Sequence, residues 1–342
     1  MAKIILDAFG GDNAPLEVIK GAAQAVEEFN VDIILTGKED VILKTAKDNN
    51  ISMNKIEIVD CPDIMPMDEE PTKLLKAYKD SSMAVGFRLL SEGKGDAFIS
   101  AGSTGAVAVG ATLVAKRIKG IKRPAITTVI PSENGKYVLL DSGANAECRP
   151  EMLKQFAVMG SIYAKKVLGI ENPRVGLVNI GAEDTKGTPL QVETNAQLKA
   201  FKDINYIGNV EARQLPLGDC DVAVCDGFTG NIILKLTEGM GKMMKNSLNA
   251  MFKANPITLL GALCVGTKLK AFKKQFDYKE YGGAMLLGVR MPVVKAHGSS
   301  DARAFRSAIK QALQGVNANI VNVIEQSLRE LESEKVEEKE NE

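Results

Sequence analysis

The segment from Lys3 to Pro15, KIILDAFGGDNAP, decides the fold class. A short apolar run ends in a small, glycine-rich loop, and a helical pattern follows it. The same order recurs as DAFIS–AGSTGA (96–106), YVLLD–SGANAE (137–147), RVGLVNI–GAEDTKGTP (174–189) and DVAVC–DGFTGN (221–231). Apolar strands that alternate with helices predict βαβ units and a mainly parallel sheet covered on both faces.

Two hairpins predict that the sheet is mixed. AITTVI and KYVLL flank PSENG, in which Asn134-Gly135 is a strong hairpin signal. AMLLGV and PVVKA flank a second short turn around Arg290. The last helical pattern carries an apolar stripe made of Phe305, Ile309, Leu313, Val316, Ile320, Ile324, Leu328 and Leu331. We expect a single domain over residues 1–332 and a charged, flexible tail over residues 333–342.

Composition excludes several classes of function. The net charge is zero, tryptophan is absent and aromatic residues make up 5% of the chain, so neither a basic field nor a stacking platform for nucleic acid is expected. The cysteines form no C-x-x-C pair and one histidine cannot complete a zinc site, so we expect no metal and reduced thiols. The uncharged stretch 97–115 is broken by glycines into a strand, a turn and a helix start. With no signal-peptide pattern at its start, the chain is expected to be cytoplasmic.

The glycine-rich loops predict an anion site. Ligands bind at the carboxyl ends of parallel strands, so we expect these loops to meet at one edge of the sheet. Backbone N–H groups in such turns and at helix starts attract phosphate or an oxygen that develops negative charge. The candidate binding residues in these loops are Gly10, Gly11, Asp12, Thr104, Gly105, Asn145 and Asp226.

The segment KAHGSSDARAF, residues 295–305, contains His297, the only histidine. A strand ends here, the chain turns at a glycine, and Ser299 or Ser300 is placed to cap the final helix. Hydroxyls, free N–H groups and Arg303 near a helix start suit phosphate. We interpret His297 as a phosphate donor or a loop-orienting residue. Proton transfer is the alternative, although no G-x-S-x-G nucleophile motif accompanies it.

Two further polar residues stand in these loops. Lys186 lies in GAEDTKG, where a lysine can bind an anion or can simply be solvated. Asn231 lies where DGFTGN enters the helical pattern NIILKLTEGMGKMMKNSL, so it can donate to a ligand or merely cap the helix. The sequence leaves both pairs of alternatives open.

Residues 251–276, MFKANPITLLGALCVGTKLKAFKKQF, contain five lysines and no acid. Apolar residues beside clustered lysines suit an anionic membrane surface or an acidic carrier protein. We therefore expect a projecting, amphipathic helical arm within the domain, the alternative being an ordinary core helix with a solvated basic face. The expected contact residues are Ile257, Leu260, Leu263, Lys268, Lys270, Lys273 and Lys274.

With these motifs assembled, the sequence resembles the bacterial phosphate acyltransferase family over essentially its whole length. The most specific segments are YIGNVEAR (206–213), VCDGFTGNIILK (224–235), YGGAMLLGV (281–289) and KAHGSS (295–300). The resemblance implies an α/β fold, a three-layer α/β/α sandwich of the isocitrate dehydrogenase and phosphotransacetylase type, assembled as a homodimer.

The resemblance also implies an activity. Members of this family transfer a fatty acyl group from acyl carrier protein to inorganic phosphate, giving acyl phosphate for phospholipid synthesis through phosphatidic acid. No cofactor is implied, Lys186 and Asn231 match the catalytic pair, and peripheral membrane association and contact with the membrane glycerol-3-phosphate acyltransferase are expected. The alternatives are a phosphotransacetylase-like enzyme that uses acyl-coenzyme A and a non-catalytic membrane-docking protein.

The chain departs from the family pattern at several loop positions. These are Phe9, Ser103, Ser142, Ala182 and Met285, where methionine, asparagine, valine, glutamate and proline are usual. The changes are mostly small or isosteric and stand beside retained Gly, Asp, Asn and Lys. We expect them to adjust affinity or chain-length preference and not to remove the activity.

Overall fold

The computed structural model describes residues 1–269 and 282–340. These residues form one sheet of eleven strands, in the order β3-β2-β1-β4-β11-β10-β5-β6-β9-β7-β8. The strands are β1 (Lys3–Asp7), β2 (Asp32–Gly37), β3 (Ile56–Asp60), β4 (Ala97–Ser100), β5 (Ala125–Ser132), β6 (Gly135–Leu140), β7 (Arg174–Asn179), β8 (Asn205–Glu211), β9 (Val222–Val224), β10 (Gly283–Leu287) and β11 (Val293–Ala296).

Helices cover both faces of the sheet. They are α1 (Leu16–Phe29), α2 (Glu39–Asp48), α3 (Ser82–Ser91), α4 (Thr104–Leu113), α5 (Pro150–Lys166), α6 (Pro189–Lys199), α7 (Gly227–Phe252), α8 (Pro256–Cys264), α9 (Ala302–Asn317) and α10 (Ile320–Glu340). Alternate residues of β1 point to different cores: Ile4 and Leu6 pack with α1, α5 and α9, whereas Ile5 packs with α3 and α4. The predicted α/β/α layering is therefore confirmed.

The sheet consists of two parallel halves that run in opposite directions. Strands β1 to β4 and β11 are parallel to one another, and so are β6 to β9. The predicted hairpins β5–β6 and β10–β11 are both antiparallel, and β10 also pairs antiparallel with β5. Three antiparallel steps therefore separate β11 from β6. The expectation that all the glycine-rich loops meet at one edge is wrong, because the carboxyl ends of the two halves point to opposite edges.

The loops at the carboxyl ends of the two halves nevertheless begin close to one shared row of residues. Ile99, Val294, Met285, Thr127, Leu140 and Val224 lie in one row across the sheet. His297 comes three residues beyond this row on one side, and Asp226 comes two residues beyond it on the other. At about 3.3 Å per strand residue, both sets of loops begin within about 10 Å of the same row.

Two boundaries differ from the sequence-based expectation. The final apolar stripe is divided between α9 and α10, because Asn319 adopts a left-handed φ of 49° that ends the continuous helix. Helix α10 then continues through Glu340, beyond the domain end expected at residue 332.

The predicted projecting arm, residues 251–276, lies only partly within the described residues. No residue from 231 to 262 is buried. The first turns of α7 still contact the body, since Ile233 and Leu234 pack against the core, whereas the later part of α7 and the described part of α8 are largely exposed. On α8, Ile257 is 82% and Leu260 is 65% exposed, and Lys268 is also exposed. Three other expected contact residues, Lys270, Lys273 and Lys274, lie outside the described residues, as does the side chain of Leu263.

Candidate active site

The first group of loops follows β1, β4 and β11 and is organised by a buried carboxylate. Asp7 accepts hydrogen bonds from the hydroxyls of Ser82 at 2.6 Å and Ser100 at 2.7 Å. Burial raises the pKa of Asp7, although these serine hydrogen bonds oppose the rise. Gly10 packs so closely that a methyl group there would lie 2.7 Å from the Asp7 carboxylate and from the backbone nitrogen of Gly102. Asp7 therefore fixes two loops against each other.

The third loop of this group is joined to the first through backbone contacts. Asp12 N–H donates to the carbonyl oxygen of Gly298 at 2.8 Å. Gly11 has a φ of +98°, and a methyl group on it would lie 2.8 Å from the same oxygen, so the close approach requires glycine. The loops that carry Gly10, Gly11, Asp12, Ser299 and Ser300 are thus brought together as predicted.

Helix α4 begins beside these loops. Its N-cap, Ser103, makes no side-chain capping hydrogen bond. Thr104 is exposed, and Gly105 lies against Pro71, where a methyl group would approach the proline ring to 2.5 Å. A helix start without a side-chain cap leaves backbone donors for an anion.

His297 is oriented by its own loop. The backbone N–H of Ser299 donates to Nδ1 at 3.2 Å, and the Ser299 hydroxyl lies 2.9 Å from the same nitrogen. Because a backbone N–H can only donate, Nδ1 accepts and the proton of the neutral ring is on Nε2. Nε2 lies 3.4 Å from Nζ of Lys235 and 3.9 Å from a carboxylate oxygen of Glu238. This geometry favours the predicted binding role over proton abstraction.

The electrostatic surroundings of His297 contain charges of both signs. Burial lowers the pKa of His297; Glu238 opposes this, Lys235 and Lys295 lower the pKa further, and Asp12 opposes them. Lys295 lies two residues earlier on β11, so it points to the same face of the sheet. Its Nζ lies 3.4 Å from the carbonyl oxygen of Ala101, and burial, aided by Lys235, lowers the pKa of Lys295 to about 8.

The final helix is not capped as predicted. Asp301, and not Ser299 or Ser300, is the N-cap of α9 and accepts from the N–H of Ala304 at 3.0 Å. Asp301 directly precedes the first helical residue, so it takes this role in place of the serines, which lie one and two residues earlier. The hydroxyl of Ser300 is buried and has no hydrogen-bond partner among the described residues. It therefore remains available to a ligand that enters this loop.

The second group of loops follows β6, β7 and β9 and is organised by another buried carboxylate. Asp141 accepts backbone hydrogen bonds from Ile126, Gly143 and Asn145 at 3.0, 3.1 and 2.7 Å. The side-chain amide of Asn145 donates to Asp141 and to the carbonyl of Pro124, both at 2.8 Å. Both amide hydrogens are therefore engaged inside the fold, so Asn145 supports the loop and is not positioned to donate to phosphate.

The start of α7 shows which residue caps this helix, a role that the sequence left open for Asn231. Asp226 caps the helix, accepting from the N–H of Thr229 at 2.8 Å and from its hydroxyl at 2.9 Å. Asp226 is therefore a cap and not a direct ligand. Asn231 lies one turn further on and is exposed, so it is not the cap. Its side chain lies against Gly143, where a methyl group would be 3.5 Å from Oδ1 of Asn231.

Lys186 extends from a loop that its neighbours hold in place. The side-chain amide of Asn179 donates to the carbonyl of Lys186 at 3.0 Å, and the N–H of Lys186 donates to the carbonyl of Glu183 at 3.1 Å. Asn209 donates to that same Glu183 carbonyl at 3.0 Å. The Lys186 side chain itself is exposed. Within the described part of the chain it makes no hydrogen bond or ion pair with Asn231.

Helix α7 connects the two groups of loops. Asn231 lies at the second group, and Lys235, one turn later on the same helix face, lies at His297 of the first group. One turn corresponds to about 6 Å along the helix. The sequence reading missed Lys235, Glu238 and Lys295. The helical spacing from Asn231 and the strand alternation with His297 are the signals that point to them.

The described residues contain no cluster of three or more His, Cys, Asp or Glu side chains able to hold a metal. In the same part of the chain, no helix has the length and apolar character needed to span a membrane.

Solved structures with the same fold support this description. A phosphotransacetylase from Streptococcus pyogenes matches with a TM-score of 0.64 at 17% identity, covering 92% of this chain and 94% of that one. A branched-chain phosphotransacylase from Enterococcus faecalis matches with a TM-score of 0.56 at 15% identity, covering 92% and 99%. At these identities the likeness shows the fold alone, which is the phosphotransacetylase class of α/β/α sandwich.

Sequence comparisons identify the family within that class. A family model described as fatty acid synthesis protein matches residues 2–323. A phosphate acyltransferase from Alkaliphilus oremlandii is 47% identical over 329 residues, covering 96% of this chain and 98% of that protein. Another from Clostridioides difficile is 43% identical over 333 residues, covering 97% and 98%. The chain belongs to the phosphate acyltransferase family and is an acyltransferase, as its motifs indicated.

Proposed function

We propose that the enzyme transfers a fatty acyl group from acyl carrier protein to inorganic phosphate at the surface beside α7 between Asn231 and His297, which we call the cleft. The observation that carries this proposal is the placement of Asn231 and Lys235 on one face of α7, one turn apart. Phosphate bound near Lys235 and His297 would then lie next to a thioester carbonyl held at Asn231. Such proximity supplies much of the acceleration of a two-substrate reaction.

The proposed reaction is a direct displacement. A phosphate oxygen forms a bond to the thioester carbon, and the carbon–sulfur bond breaks with its electron pair leaving on sulfur. The thiolate then takes up a proton, giving acyl phosphate and the free carrier thiol. Because a thiol has a pKa of roughly 8.5, the thiolate is a good leaving group and no covalent enzyme intermediate is needed.

The catalytic roles go to Lys186 and Asn231. An ammonium and an amide N–H aimed at the carbonyl oxygen stabilise the negative charge that builds on it. The phosphate-binding role goes to the loops at Gly10–Asp12, Thr104–Gly105 and His297–Ser300, with Lys235 and Lys295 supplying positive charge. Asn145 and Asp226 are excluded from direct binding because their polar groups are engaged within the fold.

The arm and the assembly complete the proposal. The exposed apolar residues of α8 and the lysines around them suit an anionic membrane surface or the acidic carrier protein. We place the enzyme in the cytoplasm as a homodimer that associates peripherally with the membrane. There its acyl phosphate would pass to the membrane glycerol-3-phosphate acyltransferase for phosphatidic acid synthesis.

The test is phosphate-dependent thiol release, measured with acyl carrier protein and with coenzyme A as the acyl donor. We expect a preference for the carrier-bound donor and a loss of about 10²–10³ in turnover in Lys186→Ala. Lys202→Ala, a nearby exposed lysine, is the matched control. A preference for acyl-coenzyme A would favour the phosphotransacetylase-like alternative, and a folded Lys186→Ala enzyme with normal turnover would remove Lys186 from the mechanism.

A further inference from the structure

Glu238 is the only acidic residue of α7, and it lies beside Lys235 and His297. Its carboxylate accepts from Nζ of Lys235 at 2.8 Å and lies 3.9 Å from Nε2 of His297. The Glu238 side chain is 21% exposed, whereas that of Lys235 is 52% exposed. The carboxylate is therefore turned inward, towards the two nitrogen-bearing groups.

The surroundings of this carboxylate form a site for an anion. Lys235 and His297 face it directly, and Lys295 is close enough to lower the pKa of His297. The start of α4 follows the loop whose Ala101 carbonyl contacts Lys295, and it offers backbone donors without a side-chain cap. Asp12 acts on His297 and Lys295, and the buried Asp7 also acts on Lys295. A carboxylate oxygen held by Lys235 thus stands where a phosphate oxygen would be bound.

Glu238 also has a second partner available on its own helix. Lys242 is exposed and lies four residues later, in the spacing and order that stabilise a Glu–Lys pair on a helix. Lys242 makes no ion pair with the described residues. A change of side-chain rotamer could therefore move the Glu238 carboxylate from Lys235 to Lys242 with no rearrangement of α7.

We propose that Glu238 is an internal competitor of phosphate, occupying the anion position in the free enzyme and turning to Lys242 when phosphate binds. The inference deepens the proposed function and rests on its placement of phosphate at Lys235 and His297. A half-exposed ion pair changes an equilibrium by less than about fivefold, so phosphate can displace the carboxylate. Glu238 thereby sets the affinity for phosphate and, by returning to Lys235, favours release of the phosphorylated product.

The test measures binding of inorganic phosphate alone, by calorimetry, to the full-length enzyme and to Glu238→Gln. We expect phosphate to bind about three- to tenfold more tightly to the variant, because both competition and like-charge repulsion are removed. In turnover, the KM for phosphate should change more than kcat. The matched control is Glu325→Gln, which breaks a helical ion pair to Arg329 outside the cleft and should leave phosphate affinity unchanged.

The direction of the change separates competition from ordinary support. If Glu238 only holds Lys235 in position, Glu238→Gln weakens phosphate binding, and equal or weaker binding overturns the inference. Lys242→Gln provides a second measurement: it should weaken phosphate binding about twofold, because the displaced carboxylate loses its alternative partner. Tighter phosphate binding by Glu238→Gln in an enzyme that releases no thiol would contradict the proposed function while supporting this inference.

Discussion

Asn231 is exposed, and the residue that begins its helix makes it unnecessary as a cap. Asp226 accepts the capping hydrogen bonds of α7, which leaves the Asn231 amide without a structural role at the helix start. An amide in this position can donate to charge that develops only during the reaction. Such a donor contributes to turnover more than to ground-state binding.

Replacing Asn231 with alanine should therefore lower kcat by about 10²–10³ and change the KM for phosphate much less. Steady-state kinetics with varied phosphate checks this expectation, and thermal unfolding checks the fold. Asn246→Ala removes an exposed asparagine from the same helix and serves as the control. If Asn231→Ala lowers only the unfolding temperature and keeps its turnover, the residue supports α7 and does not act in catalysis.

Lys295 should make phosphate binding depend on pH. Burial lowers the pKa of Lys295 to about 8, so its positive charge is lost as the pH rises through that value. Phosphate itself gains negative charge with rising pH, which would strengthen binding. The loss of the Lys295 charge acts in the opposite direction, and we expect phosphate binding measured by calorimetry to weaken by several-fold between about pH 7 and pH 9. Because phosphate itself would cause the reverse change, we assign that weakening to Lys295. Lys295→Arg, whose charge persists, should remove it.

Stability should show the opposite dependence. The folded pKa of Lys295 lies below the ordinary lysine value of 10.5, so the unfolded chain binds more protons between about pH 8 and pH 10.5. The free energy of unfolding then rises with pH across this window. At neutral pH, Lys295→Met should raise it by on the order of 1–3 kcal/mol while weakening phosphate binding. Destabilisation by Lys295→Met would contradict the assigned charge burial.

Individual residues were predictable where a loop motif marks them and not where the fold brings them in. His297 and Asn231 stand in glycine-rich segments that follow apolar runs. Lys235 and Glu238 lie in a plain helical pattern, and only the docking of α7 beside β11 makes them neighbours of His297. The serine caps were mispredicted because Asp301 competes for the same donors.

At the scale of elements, local signals were reliable where one residue type dictates the geometry. Asn134-Gly135 gave the β5–β6 hairpin, and the glycines after β4 gave the start of α4. The break between α9 and α10 was missed because the apolar stripe continues through it, whereas Asn319 interrupts the backbone. Hydrophobic periodicity identifies the buried face of a helix. It does not reveal a break in the helical backbone when the apolar residues continue along the same face.

Helix α8 should be the element that contacts anionic lipid. Ile257 and Leu260 are largely exposed, and burial of such side chains in a membrane contributes about 1.5–3 kcal/mol each. We expect the double variant Ile257→Glu/Leu260→Glu to bind vesicles that contain anionic lipid at least about tenfold more weakly, measured by co-sedimentation. Leu113→Glu changes an equally exposed leucine at the end of α4 and is the control. Equal vesicle binding by all three proteins would rule out α8 as the contact.

For the whole molecule, the direction of the two half-sheets is the feature that the sequence did not reveal. Recurrent strand–loop–helix units predict parallel pairing within each half and carry no information on how the halves meet. The antiparallel hairpins at the centre reverse the second half, which places Asp7 and Asp141 at opposite edges. Because the halves share one row of residues, a single helix can still join the two groups of loops.

An exposed apolar stripe on α7 bears on the assembly of the whole molecule. Phe228, Ile232, Leu236 and Met243 recur along one side of α7 and are between 51% and 64% exposed. From the first to the last they span 16 residues, about 22 Å of helix, beside the face that carries Asn231 and Lys235. An uncovered apolar stripe of this length is unusual for a single chain and is expected to be buried against another molecule.

We expect that molecule to be a second copy, since a homodimer would cover the stripe next to the cleft of each subunit. Light scattering coupled to size exclusion should give twice the mass of the chain. Leu236→Glu should dissociate the dimer and lower turnover, because a charge placed in an apolar contact remains unpaired. Ile207→Glu, at an exposed position of strand β8, should stay dimeric. A wild-type enzyme that is monomeric at every concentration tested would assign the stripe to a different partner and would contradict the homodimer.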